Sequence, residues 1–223
     1  MKILCINPNS SKKVTESIKQ TCEQYALPDT EVTVECVSNA PIALNDYCDI
    51  VLTEIFLLEM FKENEPKYDG FIIACHGDVG VNQLRELTDK PVIGIGEASL
   101  ILALPLGHKF SILSRKRKKV VQKEEMVKRY GLENRCASIK MTQLEVNAEG
   151  DDKKEQLIRA GKDAVKNDGA EVLVLGCGGM AGLDKEIEKA IGVPVIDGVV
   201  SALMIIESLI RYGLKTSKVG KYS

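Results

Sequence analysis

Two stretches about a hundred residues apart share one pattern: an apolar strand, a cysteine, then a glycine-rich turn. The first is Phe71-Ile-Ile-Ala-Cys75-His-Gly-Asp-Val-Gly80, and the second is Val172-Leu-Val-Leu-Gly-Cys177-Gly-Gly-Met-Ala-Gly182. A second echo lies just beyond each. Pro91-Val-Ile-Gly-Ile-Gly-Glu-Ala-Ser-Leu100 aligns with Pro194-Val-Ile-Asp-Gly-Val-Val-Ser-Ala-Leu203 at an offset of 103, and the cysteines align at 102. A chain that repeats itself at nearly constant offset points to two similar halves, each built on the same order of elements.

The elements between the echoes are strands alternating with amphipathic helices. Lys2–Ile6 reads as a strand, closed by Asn7-Pro8-Asn9-Ser10, with Ser10 or Ser11 as helix cap. Val14, Ile18 and Cys22 then recur at helical spacing. A strand at Glu31–Ser38, a helix at Asp46–Phe61 carrying Ile50, Ile55 and Leu58, and strands at Gly70–Ala74 and Pro91–Ile95 follow. A short helix near Asn82–Leu87 separates the last two. The second half repeats this: strand Lys109–Leu113, helix Lys116–Tyr130 with Val120, Met126 and Val127 inward, strand Cys136–Ile139, helix Asp151–Asn167, and strands Glu171–Leu175 and Val193–Ile196. This is βα grammar, which implies parallel sheets covered on both faces. The expected architecture is α/β, with two similar lobes of about four parallel strands each. Ligands of such folds sit beyond the carboxyl ends of the strands, which is where Cys75 and Cys177 fall, expected to face each other across an inter-lobe cleft.

Composition narrows the function classes. The chain has 223 residues, a net charge of -2, no Trp and 4% aromatics, which argues against stacking platforms or bulk phosphate binding for nucleic acid. The one basic run, Arg115–Lys119, reads as a solvated helix start beside the ligand site or a plain surface run. No stretch offers 18 uninterrupted apolar residues, so neither a membrane span nor membrane association is expected. Met1–Ile6 does not read as a signal peptide. Seven cysteines without CxxC spacing fit reduced thiols in the cytoplasm better than disulfides or structural zinc.

Cys75 leaves its strand through Gly77 and Gly80, where glycine permits close backbone approach to a ligand and exposed N–H groups lower a thiol pKa. The competing reading is a buried core cysteine. Four glycines surround Cys177, yet no Lys-Ser/Thr follows them and the first strand lacks GxGxxG, so a nucleotide loop is disfavoured. Cys5, Cys22, Cys36, Cys48 and Cys136 read as structural. His76 and His108, the two histidines, form no zinc pattern, so no metal is expected. A Cys75–His76 hydrolase dyad has no support, and His76 reads better as pocket lining. Asp78 is a ligand contact or a local Asx turn. Glu97 contacts a ligand or caps the following helix. Asn7, Ser10 and Ser114 offer neutral hydrogen bonds at strand ends, or cap helices.

Taken together, these motifs resemble the hydantoin and allantoin racemase branch of the aspartate/glutamate racemase superfamily. The stretches that carry the resemblance are Ile6–Ser10, Ala74–Asp78, Pro91–Ala98, Leu106–Ser111, Leu175–Gly182, Gly192–Val199 and Gly213–Lys218. It implies pseudo-symmetric lobes, with the C-terminal helix returning to the first: 1–97 plus 204–223, and 98–203. It implies an isomerase without cofactor or metal whose catalytic cysteines fall on Cys75 and Cys177. Substrate contacts would fall on Asn7, Ser10, Ser114 and the turns after the cysteines, namely His76, Gly77, Asp78, Val79, Gly178 and Gly179. A homo-oligomer is implied as well. Two departures stand out: Val79 where relatives commonly have proline, and Gly178 where alanine is common. Both bear on the substrate side chain rather than on the thiols.

The expected activity is racemisation of 5-monosubstituted hydantoins, allantoin included, by proton transfer between the two thiols. The alternatives are an aspartate/glutamate-type amino-acid racemase, a decarboxylase or cis–trans isomerase of the same fold, and, from another class, a two-lobe small-molecule binding protein.

Overall fold

A computed structural model describes residues 1–142 and 151–223, and these residues divide into two compact units, Met1–Ala98 with Val199–Ser223, and Ser99–Gly198. The first unit holds strands β1 (Lys2–Asn7), β2 (Glu31–Cys36), β3 (Gly70–Ile73) and β4 (Val92–Gly94) in the order β2-β1-β3-β4. The second holds β5 (Phe110–Ser114), β6 (Cys136–Met141), β7 (Val172–Leu175) and β8 (Val195–Ile196) in the order β6-β5-β7-β8. All pairings are parallel. The duplication read from the sequence is therefore a duplication of topology, strand for strand.

Helices α1 (Lys12–Tyr25), α2 (Tyr47–Asn64) and α3 (Val81–Leu87) belong to the first unit. Helices α5 (Arg117–Arg129), α6 (Asp151–Asp168) and α7 (Asp184–Ile191) belong to the second. The two remaining helices, α4 (Ile95–Ala103) and α8 (Gly198–Tyr212), are the counterparts that follow the echoed Pro-Val-Ile segments, and each carries the chain from one unit into the other. Helix α8 packs on the first sheet: a β-carbon added to Gly70 would lie 2.8 Å from Ile210 and 3.0 Å from Ile206. Glu207 of α8 accepts a hydrogen bond from the Leu27 N–H.

The strands are near-continuous apolar runs because both faces of a parallel sheet are covered. Phe71, Ile72 and Ile73 of β3 are fully buried, and Phe71 meets Phe61 of α2 edge-on at 4.6 Å. Ser11, not Ser10, caps α1, its Oγ accepting from the Val14 N–H. Helix α2 forms where the sequence reading puts a helix, and its apolar residues lie on several sides. Its buried face is Thr53, Leu57 and Phe61, while Ile55 is exposed and Ile50 only half-buried. The helix is apolar nearly all round, so periodicity alone does not single out its inward face. In α5, Met126 and Val127 are buried as expected, but Lys123 joins them and Val120 is only half-buried. Cys48 is exposed on α2.

Candidate active site

In each sheet the order reverses direction between its two central strands, and that crevice at the carboxyl ends is where α/β folds bind ligands. In the first unit the crevice is flanked by the ends of β1 and β3. Register pairs Ile6 with Ile73, and the Ala74 N–H continues the ladder to the Ile6 carbonyl at 2.8 Å. Asn7 and Cys75 are the next groups out on the two strands. In the second unit Leu113 pairs with Leu175, and the Gly176 N–H reaches the Leu113 carbonyl at 3.0 Å. Ser114 and Cys177 follow. Each cysteine lies two residues beyond its strand, beside a polar residue that ends the neighbouring one.

The Cys75 turn is held from below. Asp78 is buried and has φ of 53°, the one positive φ at a non-glycine among the described residues. Its carboxylate accepts from the backbone N–H groups of Gly96 (2.8 Å) and Glu97 (2.9 Å) at the start of α4. The anion meets the positive end of the helix dipole. A β-carbon at Gly94 or Gly96 would collide with that carboxylate, at 2.0 and 2.6 Å. Asp78 is thus a tether for the loop, bound to a partner 18 residues away. Glu97 is bound in turn by Arg85, through both guanidinium nitrogens, and caps the Gly94 N–H. His76 and Val79 are buried, Gly77 is exposed, and Cys75 is half-buried. A β-carbon at Gly77 would sit 3.7 Å from both the Cys75 Sγ and a Val79 methyl, at ordinary contact distance, which places Gly77 against the sulfur. Asn7 is fully buried, and its Nδ2 donates to Asn9 Oδ1 (3.1 Å) and Thr15 Oγ1 (3.0 Å). Asn7 therefore organises the β1–α1 turn. Ser10 lies half-buried on the same turn, its N–H on the Pro41 carbonyl.

The second unit presents a different set of polar groups. Gly176 must be glycine, since a β-carbon would meet the Leu113 carbonyl oxygen at 2.6 Å. Cys177 is half-buried and extended, and Gly178–Met180 form one 3-10 turn directly after it. Gly178 is buried and Gly179 half-buried. The Arg115 Nη1 donates to the Cys177 Sγ at 3.4 Å. Burial raises the Cys177 thiol, but the Arg115 charge and hydrogen bond, the Gly179 N–H and the Lys123 charge outweigh it, and the pKa falls below the ordinary range. The thiols of Cys5 and Cys136 shift the other way. The neighbouring Cys22 and burial push Cys5 well up, and burial takes Cys136 to about 11.

Two buried polar atoms beside Cys177, Ser114 Oγ and Arg115 Nε, have no hydrogen-bond partner among the described residues. Buried polar groups left unpaired cost free energy unless a ligand or water meets them. In the sequence Arg115 reads only as the first residue of a basic helix start or surface run. Helix α5 starts two residues later, at Arg117, and Arg115 directly follows Ser114 at the strand end. That adjacency was the signal.

A family model of Asp/Glu/hydantoin racemases matches residues 3–205. The chain belongs to that family. It is 40% identical to the hydantoin racemase of Paenarthrobacter aurescens, over all of this chain and 96% of that one. It is 38% identical to the hydantoin racemase of Pseudomonas sp. strain NS671, over all of this chain and 91% of that one. The crystal structure of an allantoin racemase from Pseudomonas fluorescens superposes with a TM-score of 0.95 at 36% identity, covering all of this chain and 96% of that one. The racemase family thus extends over both cysteine turns, and no described helix is long and apolar enough to cross a membrane.

Proposed function

We propose that the protein racemises 5-monosubstituted hydantoins, a class that includes allantoin, with Cys75 and Cys177 as the acid/base pair. The observation that carries this reading is the matched placement of the two thiols, each two residues beyond a central strand at the ligand-binding end of its sheet. The C5–H of such a ring is acidic because the adjacent C4 carbonyl takes up the charge as an enolate. One sulfur, as thiolate, removes the proton, and the other, as thiol, delivers one to the opposite face. The reverse reaction exchanges their roles, so the working pair holds one proton and titrates as a unit. Ser114 Oγ, buried without a partner among the described residues, is suited to the developing oxygen charge.

The neutral ring is favoured over a free amino acid by the state of the carboxylates. An α-ammonium needs an anionic anchor. Asp78 is taken up by α4, Glu97 by Arg85, and Asp197 by the Gly182 N–H. Asn7, Ser10, His76, Gly77, Val79, Ser114, Gly178 and Gly179 complete the proposed substrate surroundings, with Asp78 acting through the loop it anchors. We also infer a homo-oligomer, supported by the exposed apolar side chains Ile42, Tyr47, Val51, Leu52 and Ile55 on and before α2. Light scattering giving the mass of one chain would reject that part.

The deciding experiment follows optical rotation of single enantiomers of several 5-substituted hydantoins, allantoin included, in deuterated water. Cys75→Ala and Cys177→Ala proteins run in parallel, with spontaneous racemisation subtracted. Decay to zero with deuterium at C5, abolished in both variants, is expected. Exchange at the α-carbon of aspartate or glutamate, with none on hydantoins, would overturn it.

A further inference from the structure

Racemisation by two thiols needs one charged and one neutral sulfur, and nothing in the symmetric topology says which is which. The side chains break the symmetry. In the second unit, a guanidinium placed by the end of β5 donates to the Cys177 sulfur at 3.4 Å. A guanidinium binds anions directionally, through a planar fork of donors. Its Nε is buried without a partner, so this side chain has taken a desolvation cost that a neutral thiol offsets poorly and a thiolate offsets well.

The other groups facing this turn agree in sign. Lys123, only 5% exposed on α5, adds a positive charge felt at Cys177. Lys153 of α6 places its ammonium on the Gly179 carbonyl at 2.5 Å. Among the described residues, two buried acids of the same unit are bound elsewhere. Asp197 accepts from the Gly182 N–H, and the buried Asp184 of α7 has Lys185 at 3.7 Å. On the Cys75 turn the buried charge three residues further on is a carboxylate, Asp78, and it is bound to the α4 N-terminus.

We propose that Arg115 holds Cys177 as the thiolate of the resting pair, leaving Cys75 as the thiol. Which sulfur acts first as base rests on the racemase reading above; the charge state of Cys177 does not. The Cys177 thiolate takes the C5 proton and becomes a thiol, while the C–H electron pair moves into the enolate. The Cys75 thiol then delivers its proton to the opposite face and becomes the thiolate. A proton passing from Cys177 to Cys75 by way of solvent restores the resting state, with Arg115 favouring that return.

The test is site-resolved alkylation. Full-length wild type, Arg115→Gln and Arg115→Lys proteins are pulsed with iodoacetamide across about pH 5 to 9, and Cys75 and Cys177 are quantified by peptide mass spectrometry. The plateau of each profile reports access and the midpoint reports thiolate formation. In the wild type the Cys177 midpoint should lie below that of Cys75. Arg115→Gln should raise the Cys177 midpoint by about one pH unit or more and close or reverse its gap to Cys75, and Arg115→Lys should restore part of the difference. Unchanged circular dichroism keeps the comparison on folded protein, and the Lys variant serves if the Gln variant misfolds. A Cys177 midpoint that ignores Arg115, or a Cys75 midpoint below it in the wild type, overturns the proposal. These outcomes are separate from the fate of the racemase reading, because alkylation needs no substrate. In kinetics, the acid limb of the kcat/KM profile should move to higher pH in Arg115→Gln.

Discussion

Asp78 and Gly96 are bound to each other through a carboxylate that occupies the space a Gly96 side chain would fill. The Gly96 N–H reaches Oδ1 at 2.8 Å, and a β-carbon on Gly96 would lie 2.6 Å from Oδ2. The loop bearing Cys75 and the start of α4 are therefore fixed as one piece. Asp78→Ala should cost about 2 kcal/mol or more, losing two charge-assisted bonds at a helix start. Asp78→Asn should retain part of it. Thermal melts rank the three proteins, and a drop in racemisation rate larger in Ala than in Asn would mark Asp78 as a positioning residue.

Gly176→Ala tests the corresponding constraint in the second unit. Its β-carbon would press on a backbone oxygen, which cannot rotate away, so about 2–3 kcal/mol of destabilisation is expected. Urea denaturation showing less than about 1 kcal/mol would mean that the β5–β7 spacing yields more readily than its geometry implies.

Arg85 and Glu97 form a pair whose side chains are 20% and 10% exposed. Arg85→Met strands a buried carboxylate and should cost about 3 kcal/mol. Adding Glu97→Gln should recover part of that loss, since the second change removes the stranded charge. Chemical denaturation of both variants measures the coupling.

Lys140 lies 2.5 Å from Asp163 and 2.6 Å from Asp168. Hydrogen bonds from Lys140 lower both carboxyl pKa values, with further bonds from Asn167 and Ser138 respectively. A lowered folded-state pKa gives stability that is complete above the ordinary carboxylate range and lost as pH falls through the lowered values. Lys140→Met should therefore lower the urea midpoint at neutral pH, and the gap to wild type should narrow on acidification. A gap that persists at the acid end would assign the effect to packing.

The parts of this molecule written as local patterns were readable in the chain. Apolar strands followed by glycine-flanked cysteines located both thiols, and the echo around Pro91 and Pro194 announced a repeated sheet. What escaped reading depends on reach. Asp78 finds its partner 18 residues on, through a helix start that no periodicity forecasts. Arg115 looked like one cation among five because its function is set by Cys177, 62 residues away, across the β5–β7 pair. Lys123 is buried at a position where its own helix gives no warning. Helix α2 is apolar on too many sides for its inward face to be singled out.

The route of α8 has a consequence for the order of events during synthesis. The first sheet is finished once β4 has emerged, yet Ile206 and Ile210, which lie against Gly70 of β3, come more than a hundred residues later. The nascent first unit thus waits with part of its sheet uncovered while the whole second unit is made. The unit begun second is contiguous and can close first, and the unit begun first, which carries Cys75, is completed last.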